Sequence, residues 1–422
     1  MSLGWRRPRA PGPWRSGNRV QLLENGEEFF PRAFAAIAAA QREVIIETFI
    51  LFEDPVGRDL QRALIQAANR GVRVDLTVDG YGSPDFSPEF LSELVAAGVR
   101  VHVFDPHPGW VGIRVNVFRR LHRKLLIVDG TRAFIGGINY SVDHLAETDP
   151  KGKQDYAVEI EGPVVADILS FARAALAGDG TGERWKHPAT QESTQPSIGV
   201  VGGLSPPTTP QEEAGTAEVL FELRDNRRRR TSIEREYRRA IREAKREIII
   251  ANAYFFPGWG FLRELRRAAR RGVRVTLLVA AESDTPIAHP ATRTLYRHLL
   301  RAHVDIVEYC ERPFHGKVAL IDGTWATIGS SNLDPLSLAL NLESNVFVRD
   351  AAFASQLQAS LTELRQRQCH TVDAAYLGKR SWWTDLTRPL LFHVLQRFPR
   401  WAGLLPAHTP QLVRITAPAD TP

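Results

Sequence analysis

Two eight-residue stretches carry the side chains best suited to chemistry. Residues 122–129 read HRKLLIVD and residues 315–322 read HGKVALID, so both fit His-x-Lys-x4-Asp. An imidazole attacks or moves protons near neutral pH, and an ammonium two residues away can hold an anion. Such a pair occurring twice can build one anion site from two half-sites, which points to phosphoryl chemistry. The runs LLIVD and VALID are apolar and partly β-branched, as buried strands are. Residues i and i+2 of a strand share a face. His122 therefore projects with Lys124, and His315 with Lys317, while Arg123 and Gly316 face the other way. Asp129-Gly130 and Asp322-Gly323 read as turns into a following strand.

Each motif has the same sequel. Gly-Gly-Ile-Asn occupies 136–139 and Gly-Ser-Ser-Asn occupies 329–332, so Asn139 and Asn332 each lie 17 residues after their histidine. An acid then follows in another strand-like segment, Asp155 in QDYAVEIEGP and Glu343 in NLESNVFVRD. Each acid is expected to complete its own half, on a strand beside the histidine strand. A carboxylate on one imidazole nitrogen sets the tautomer and leaves the other nitrogen for nucleophilic or general-base work.

The elements that must position these groups are also duplicated. REVIIETFI (42–50) and REIIIANAY (246–254) are offset by 204 residues, RGVRVDLTVDG (70–80) and RGVRVTLLVAA (271–281) by 201, and the histidines by 193. Amphipathic helical segments, 57–71 and 260–272, separate the strands in each half. Alternating strands and helices predict an α/β fold of two similar domains, each a mixed sheet flanked by helices. The expected organisation is a basic tail over 1–16, a first domain over 17–176, a linker over 177–216, a second domain over 217–370 and an extension over 371–422. The linker is rich in Gly, Pro, Ser and Thr, although IGVVGG within it has the composition of a short strand.

Composition narrows the function classes. The two cysteines, Cys310 and Cys369, lack metal-site spacing and form no disulfide framework, which suits a reducing compartment. No run reaches the roughly 20 apolar residues that span a bilayer, and the first 16 residues lack the apolar core of a signal peptide. Membrane contact is therefore expected to be peripheral. The formal net charge of +6 favours anionic partners, either lipid or nucleic acid. The run 225–247 is dense in arginine and could hold anionic headgroups or simply be a solvated helix face. The stretch 376–406 mixes Trp382, Trp383, Phe392, Phe398 and Trp401 with Lys379 and several arginines, a combination suited to a bilayer interface or to packing on the domain surface.

The paired motifs and their G-[GS]-x-Asn sequels resemble the phospholipase D superfamily. ETFILFEDPVG (47–57), DGYGS (79–83), FRRLHRKLLIVDG (118–130), GGINYS (136–141) and DYAVEIEGPV (155–164) resemble its bacterial cardiolipin synthase branch. The resemblance covers roughly residues 17–370 and implies one active site at the interface of the two domains. It implies His122, Lys124, Asp129, His315, Lys317 and Asp322 as the catalytic signature, with Asn139, Asn332, Ser330, Asp155 and Glu343 in support. One histidine, His122 by preference, would form a covalent phosphohistidine while the other serves as acid and base. The lysines and asparagines would hold the phosphate oxygens, so no metal or cofactor is called for. Asp129 and Asp322 suit the fixing of turns better than proton transfer. Gly137 departs from the family, where many members carry a serine like Ser330.

The implied substrates are anionic phospholipids at a membrane surface, with phosphatidylglycerol as donor and acceptor and phosphatidylethanolamine as a further candidate. Nucleic acid is not the expected partner. The implied location is peripheral, on the cytoplasmic face of a bacterial inner membrane. Water as acceptor would make the enzyme a phospholipase D that yields phosphatidic acid. A nuclease of the same superfamily is the other alternative. Phe49, Phe52, Phe255, Phe256 and Trp259 follow the first strand of each half and are candidates for lining acyl chains.

Overall fold

The computed structural model describes residues 12–83, 86–106, 119–147, 152–177, 213–226, 229–281, 288–373 and 411–415. The first half contains β1 (Arg15–Glu24), α1 (Asn25–Ala39), β2 (Glu43–Thr48), α2 (Pro55–Asn69), β3 (Arg73–Asp79), α3 (Pro88–Ala96), β4 (Arg100–Phe104), β5 (Leu125–Val128), β6 (Arg132–Gly136), β7 (Tyr156–Glu161) and α4 (Val164–Leu176). The second contains β8 (Ala217–Arg224), α5 (Ser232–Glu243), β9 (Glu247–Asn252), α6 (Trp259–Arg270), β10 (Arg274–Ala280), α7 (Ala288–Leu300), β11 (Val304–Tyr309), β12 (Lys317–Ile321), β13 (Trp325–Gly329), α8 (Pro335–Ala339), β14 (Glu343–Arg349) and α9 (Ala351–Gln368).

The first half runs β1-β7-β6-β5-β2-β3-β4 across its sheet, and the second runs β8-β14-β13-β12-β9-β10-β11. Strands β1 and β8 pair antiparallel, so the halves meet about a pseudo-twofold axis. Three parallel strands form the outer part of each half and antiparallel hairpins the inner part. Two further strands close the edges. β15 (Cys369–Val372) pairs with β11, and β16 (Leu412–Arg414) pairs with β4. The last described segment of the extension thus returns to the first half as an edge strand. The proposed interfacial aromatics, the segment IGVVGG and the basic residues of the tail up to Arg9 lie outside the described residues.

Period-two alternation divides the apolar residues between layers. On β2, Val44 and Ile46 join the layer under α1, α2 and α3, while Ile45 joins a core shared by both halves. That shared core combines Tyr156, Val158 and Ile160 of β7 with Val318 and Leu320 of β12, Val346 and Val348 of β14, and residues of α4 and α9. Each such aliphatic side chain contributes about 1.5–3 kcal/mol on burial, so the interface between the halves is itself a core. Helix starts follow local rules. Asp54, Ser87 and Asp350 accept the N–H of Gly57, Phe90 and Phe353 at 3.0, 3.1 and 2.8 Å, and Pro55 and Pro88 open α2 and α3.

Both motif hairpins turn on two consecutive residues of positive φ, Asp129 (53°) with Gly130 (68°) and Asp322 (53°) with Gly323 (66°). This left-handed pair matches the twist of the flanking strands. Each aspartate also pins the helix-to-strand junction of its half. The Asp129 carboxylate accepts the backbone N–H of Gln41, Arg42 and Glu43 at 2.9, 2.7 and 2.9 Å. Asp322 accepts those of Lys245, Arg246 and Glu247 at 2.8, 2.7 and 3.0 Å. Partial burial opposes its charge, but the three N–H groups prevail and hold Asp322 below the usual carboxylate range. Its stabilisation is complete above the ordinary aspartate value and is lost as pH falls through the lower folded value. Asp322→Ala should cost about 1–3 kcal/mol at neutral pH, read as an earlier midpoint in urea unfolding.

Candidate active site at the interface of the halves

The N-terminal ends of β5, β7, β12 and β14 converge at the pseudo-twofold axis. Here the backbone of each half crosses to the other. His122 N–H donates to Leu342 O at 3.0 Å, and Leu342 N–H donates to Arg120 O at 2.8 Å. The mirror pair is His315 N–H to Gln154 O at 2.8 Å and Gln154 N–H to Pro313 O at 2.9 Å. These are short parallel bridges, Leu121 with Leu342 and Gln154 with Phe314. Each histidine is thereby docked beside the residue that precedes the acid of the opposite half.

The consequence corrects the expected pairing. His122 Nδ1 lies 3.0 Å from Glu343 Oε2, and His315 Nδ1 lies 2.6 Å from Asp155 Oδ2. Neither acid serves the histidine of its own half, and neither lies on a strand beside it. β6 separates β5 from β7, and β13 separates β12 from β14, because each motif strand first makes a hairpin. The imidazole within reach is the one across the axis. Each half-site is thus incomplete without the other.

The lysines join the cluster. Lys124 Nζ donates to the carbonyl of His122 at 2.9 Å, and Lys317 Nζ donates to that of His315. Both side chains are buried. Asn139 and Asn332 are buried as well. The Asn139 carbonyl accepts Ile50 N–H at 3.1 Å, whereas Asn332 Oδ1 has no partner. Ser330 Oγ donates to Glu343 Oε2 and accepts Ser344 N–H at 3.1 Å. Gly137 has no room for the equivalent serine, since a Cβ there would lie 2.3 Å from Asp155 Oδ1. The structure does not bring Asp129 and Asp322 to the cluster. Five residues beyond each lysine, at about 3.3 Å per strand residue, they stand at the far end of β5 and β12.

Arg123 faces away as its position predicts. It is buried, pairs with Glu47 at 2.7 Å and lies 4.8 Å over the Phe171 ring. Of the proposed apolar lining, Phe255 and Phe256 are core residues, while Phe52 and Trp259 are exposed (39% and 44%). Phe49 lies beside the chemistry, its ring tilted 57° to that of His122 at 4.9 Å and 5.3 Å from Lys124 Nζ. The middle of the arginine-rich run forms α5, which buries Ile233, Tyr237 and Ile241 against its own half; Glu236 is buried too and pairs with the half-buried Arg239 at 3.1 Å.

Three contributors were not evident from the motifs. Asp79 holds Arg120 at 2.7 Å and accepts Leu121 N–H at 2.8 Å, fixing the approach to His122. Asn25 takes a positive φ of 59°, and its side chain accepts Asp155 N–H at 2.8 Å. The Asn25-Gly26 dipeptide is a turn signal that could have marked it. His144 packs beside Asp155 and His315, and these three are a potential metal-donor group among the described residues.

Burial sets the electrostatics. It lowers the proton affinity of His122, partly countered by Glu343 and reinforced by Lys124 and Lys317. Burial, then Lys317, Lys153, Lys124 and His122, hold His315 well below the ordinary imidazole value. Burial also pushes Lys124 down to about 7, with Glu343 opposing and Lys317 adding to the fall. Burial works against charge on Glu343 too, but His122, Lys124 and Ser330 overcome it and keep its carboxyl below the usual range. The site concentrates basic groups of depressed proton affinity, His122, His315 and Lys124. An anion entering it raises all of them together.

A family description, cardiolipin synthase, PLD-like domain, matches residues 34–170 and again 237–365. Cardiolipin synthase B of Escherichia coli (strain K12) is 49% identical over 409 residues, covering 96% of this chain and 95% of that one. Cardiolipin synthase A of Pseudomonas entomophila is 34% identical over 353 residues, covering 83% and 69%. Among solved structures, phosphatidylserine synthase of Haemophilus influenzae superposes with a TM-score of 0.64 at 12% identity, covering 93% of this chain and 96% of that one. That last likeness speaks for the fold. With the paired half-sites and these relatives in hand, the chain belongs to the cardiolipin synthase family of phospholipase D-like enzymes.

Proposed function

We propose that this protein transfers a phosphatidyl group from phosphatidylglycerol to the free hydroxyl of a second phospholipid, through a phosphohistidine. The observation that carries the proposal is the crossed pair of imidazoles, each with Nδ1 tied to a carboxylate from the opposite half. Nδ1 then carries the proton, and Nε2 is left for the reaction. His122 Nε2 attacks phosphorus, and the bond from phosphorus to the leaving glycerol oxygen breaks. That oxygen takes a proton from the His315 imidazolium. The acceptor hydroxyl next gives its proton to His315 and attacks phosphorus, and the bond to His122 breaks.

The division of labour follows the carboxylates. Glu343 is shared between His122 and Ser330, whereas Asp155 meets His315 at 2.6 Å without a serine competing for it. Burial and then the lysines depress His315; a bound phosphodiester offsets the lysines, and the short carboxylate contact supports the imidazolium against burial. Lys124, Lys317, Asn139 and Asn332 hold the phosphate oxygens as charge develops on them. Ser330 supports Glu343, and Asp129 and Asp322 maintain the scaffold.

The working surface is anionic phospholipid, approached peripherally from the cytoplasmic face. Among the described residues no helix is long and apolar enough to cross a membrane. Mass spectrometry of products from phosphatidylglycerol vesicles, with and without phosphatidylethanolamine, tests the reading. Cardiolipin is the expected product, and its dependence on the second lipid identifies the donor. Phosphatidic acid alone would make the enzyme a hydrolase, and turnover of labelled nucleic acid without lipid turnover would make it a nuclease.

The pH profile should be bell-shaped. The acid limb reports protonation of the attacking imidazole and should fall below 6.5, the ordinary value from which burial lowers His122. The alkaline limb reports loss of the proton from the His315 imidazolium, and in kcat/KM the Lys124 ammonium, with its value of about 7, adds to it, since its deprotonation removes a phosphate-binding charge from the free enzyme. In kcat that limb should move to higher pH, because bound phosphate favours the ammonium.

A further inference from the structure

The two half-sites solve one problem differently. The spacing of 193 residues that relates His122 to His315 also relates Asn139 to Asn332, Gly137 to Ser330, and His144 to Ser337. In one half-site a hydroxyl, Ser330, buttresses the acid. In the other, the Asp155 carboxylate itself fills that place, where a Cβ on Gly137 would lie 2.3 Å from Oδ1, and a third histidine stands by the acid instead.

His144 ends the one-turn helix Val142–His144 and is 1% exposed. Its Nε2 accepts the backbone N–H of Asn139 at 3.2 Å. A nitrogen that accepts carries no proton, so the neutral ring bears its proton on Nδ1. Nδ1 is buried without a hydrogen-bond partner, and Asp155 Oδ2 lies 3.9 Å from it. The His144 and His315 rings meet edge to face at 5.8 Å. Asp155 Oδ1 already accepts Tyr156 N–H at 2.8 Å, and the Gly137 backbone closes a further side of the carboxylate. Buried donors without partners are rare and costly, so one aimed at a working carboxylate calls for a role.

We propose that His144 is a positioning residue, whose neutral ring walls Asp155 against His315 and whose Nδ1–H dipole steadies the Asp155 charge. This rests on His315 as the acid–base partner. The groups facing His144 are Asp155, His315, Lys153 and Lys317, and burial together with these cations keeps the ring neutral through the working range. His144, Asp155 and His315 also have the donor set of a metal site. The tautomer opposes that use, because a metal on Nδ1 would move the proton to Nε2 and set it against Asn139 N–H.

Two isosteric replacements separate the roles of the nitrogens. His144→Asn can still donate from the Nδ1 position, whereas His144→Gln can still accept from Asn139 but offers Asp155 nothing. His144→Phe keeps the ring and loses both. His144→Phe and His144→Gln should lower kcat about tenfold with KM within twofold of wild type, and His144→Asn should restore at least half of wild-type kcat. With the dipole gone, Asp155 is the more basic, so the His315 limb of the kcat profile should move to higher pH in Phe and Gln. Lys124 and His122, which also face His315, are unchanged in all three.

The downfield proton NMR signal of the His315 Nδ1–H should move further downfield in Phe and Gln, where the more basic Asp155 accepts more strongly, and hold its place in Asn. That signal needs no turnover, so it tests His144 even if the lipid reading fails. A His315 signal and kcat unchanged in His144→Phe would overturn the proposal. So would Gln matching wild type while Asn matches Phe, since His144 would then serve only the Asn139 backbone. Stoichiometric Zn²⁺ binding that is lost in His144→Phe would make the group a metal site instead.

Discussion

His122→Ala and His315→Ala should each lower kcat by about 10⁴-fold or more. Each variant removes a group for which the site has no substitute. Without His122 there is no nucleophile tied to Glu343, and the remaining route is direct attack by an alcohol. Without His315 the leaving alkoxide has no proton donor. The two act in one cycle, so the double variant should be scarcely worse than either single one. Both rings sit at strand ends outside the shared aliphatic core, so far-UV circular dichroism and the thermal midpoint should change little. The variants also differ in what they trap. In His315→Ala, labelled phosphatidylglycerol should leave slow-forming label on the peptide that contains His122, and His122→Ala should leave none on His315. A single variant with near-normal turnover would sink the two-half-site mechanism, and label on His315 would reverse the roles.

Much of this was legible in the chain because the relevant physics is local. Apolar runs with β-branched residues become strands wherever they are buried, so both motif strands and the parallel strands β2, β3, β9 and β10 could be read directly. Asp-Gly with two positive φ angles is a turn in any context, and the structural role of Asp129 and Asp322 follows from it. What escaped was set by distance along the chain. Asp155 and Glu343 look like partners of the histidines that precede them, because sequence order suggests proximity. The hairpins interpose β6 and β13, and the pseudo-twofold contact brings the other histidine nearer. His144 carried no signal as a lone histidine in a turn, since its meaning depends on Gly137 letting the Asp155 carboxylate approach and on Asn139 fixing its tautomer. Leu412–Arg414 likewise shows no pattern that assigns it to β4 rather than to the second half, which it follows in the chain.

The crossed pairing makes its own prediction. Asp155→Asn and Glu343→Gln should each lower kcat by about 10³–10⁴-fold, the scale on which an amide in place of a histidine-orienting carboxylate spoils the tautomer. The loss should appear on the histidine of the opposite half. A carboxylate stabilises the imidazolium beside it, so its removal lowers that ring's proton affinity. In ¹⁵N-histidine titrations Asp155→Asn should therefore lower the value for His315 and leave His122 nearly unmoved, and Glu343→Gln should do the reverse. The kinetics should separate in the same way. Glu343→Gln should slow formation of the phosphohistidine in rapid-quench experiments, because it leaves the nucleophile in the wrong tautomer. Asp155→Asn should slow both proton-transfer steps, and an acceptor or leaving alcohol of lower pKa should restore part of the rate. Ser330→Ala should fall between, since it frees Glu343 for His122 alone while leaving the acid less restrained. If Asp155→Asn moved His122 instead, each half would be self-contained, and the shared core beneath the site would hold two independent centres rather than one.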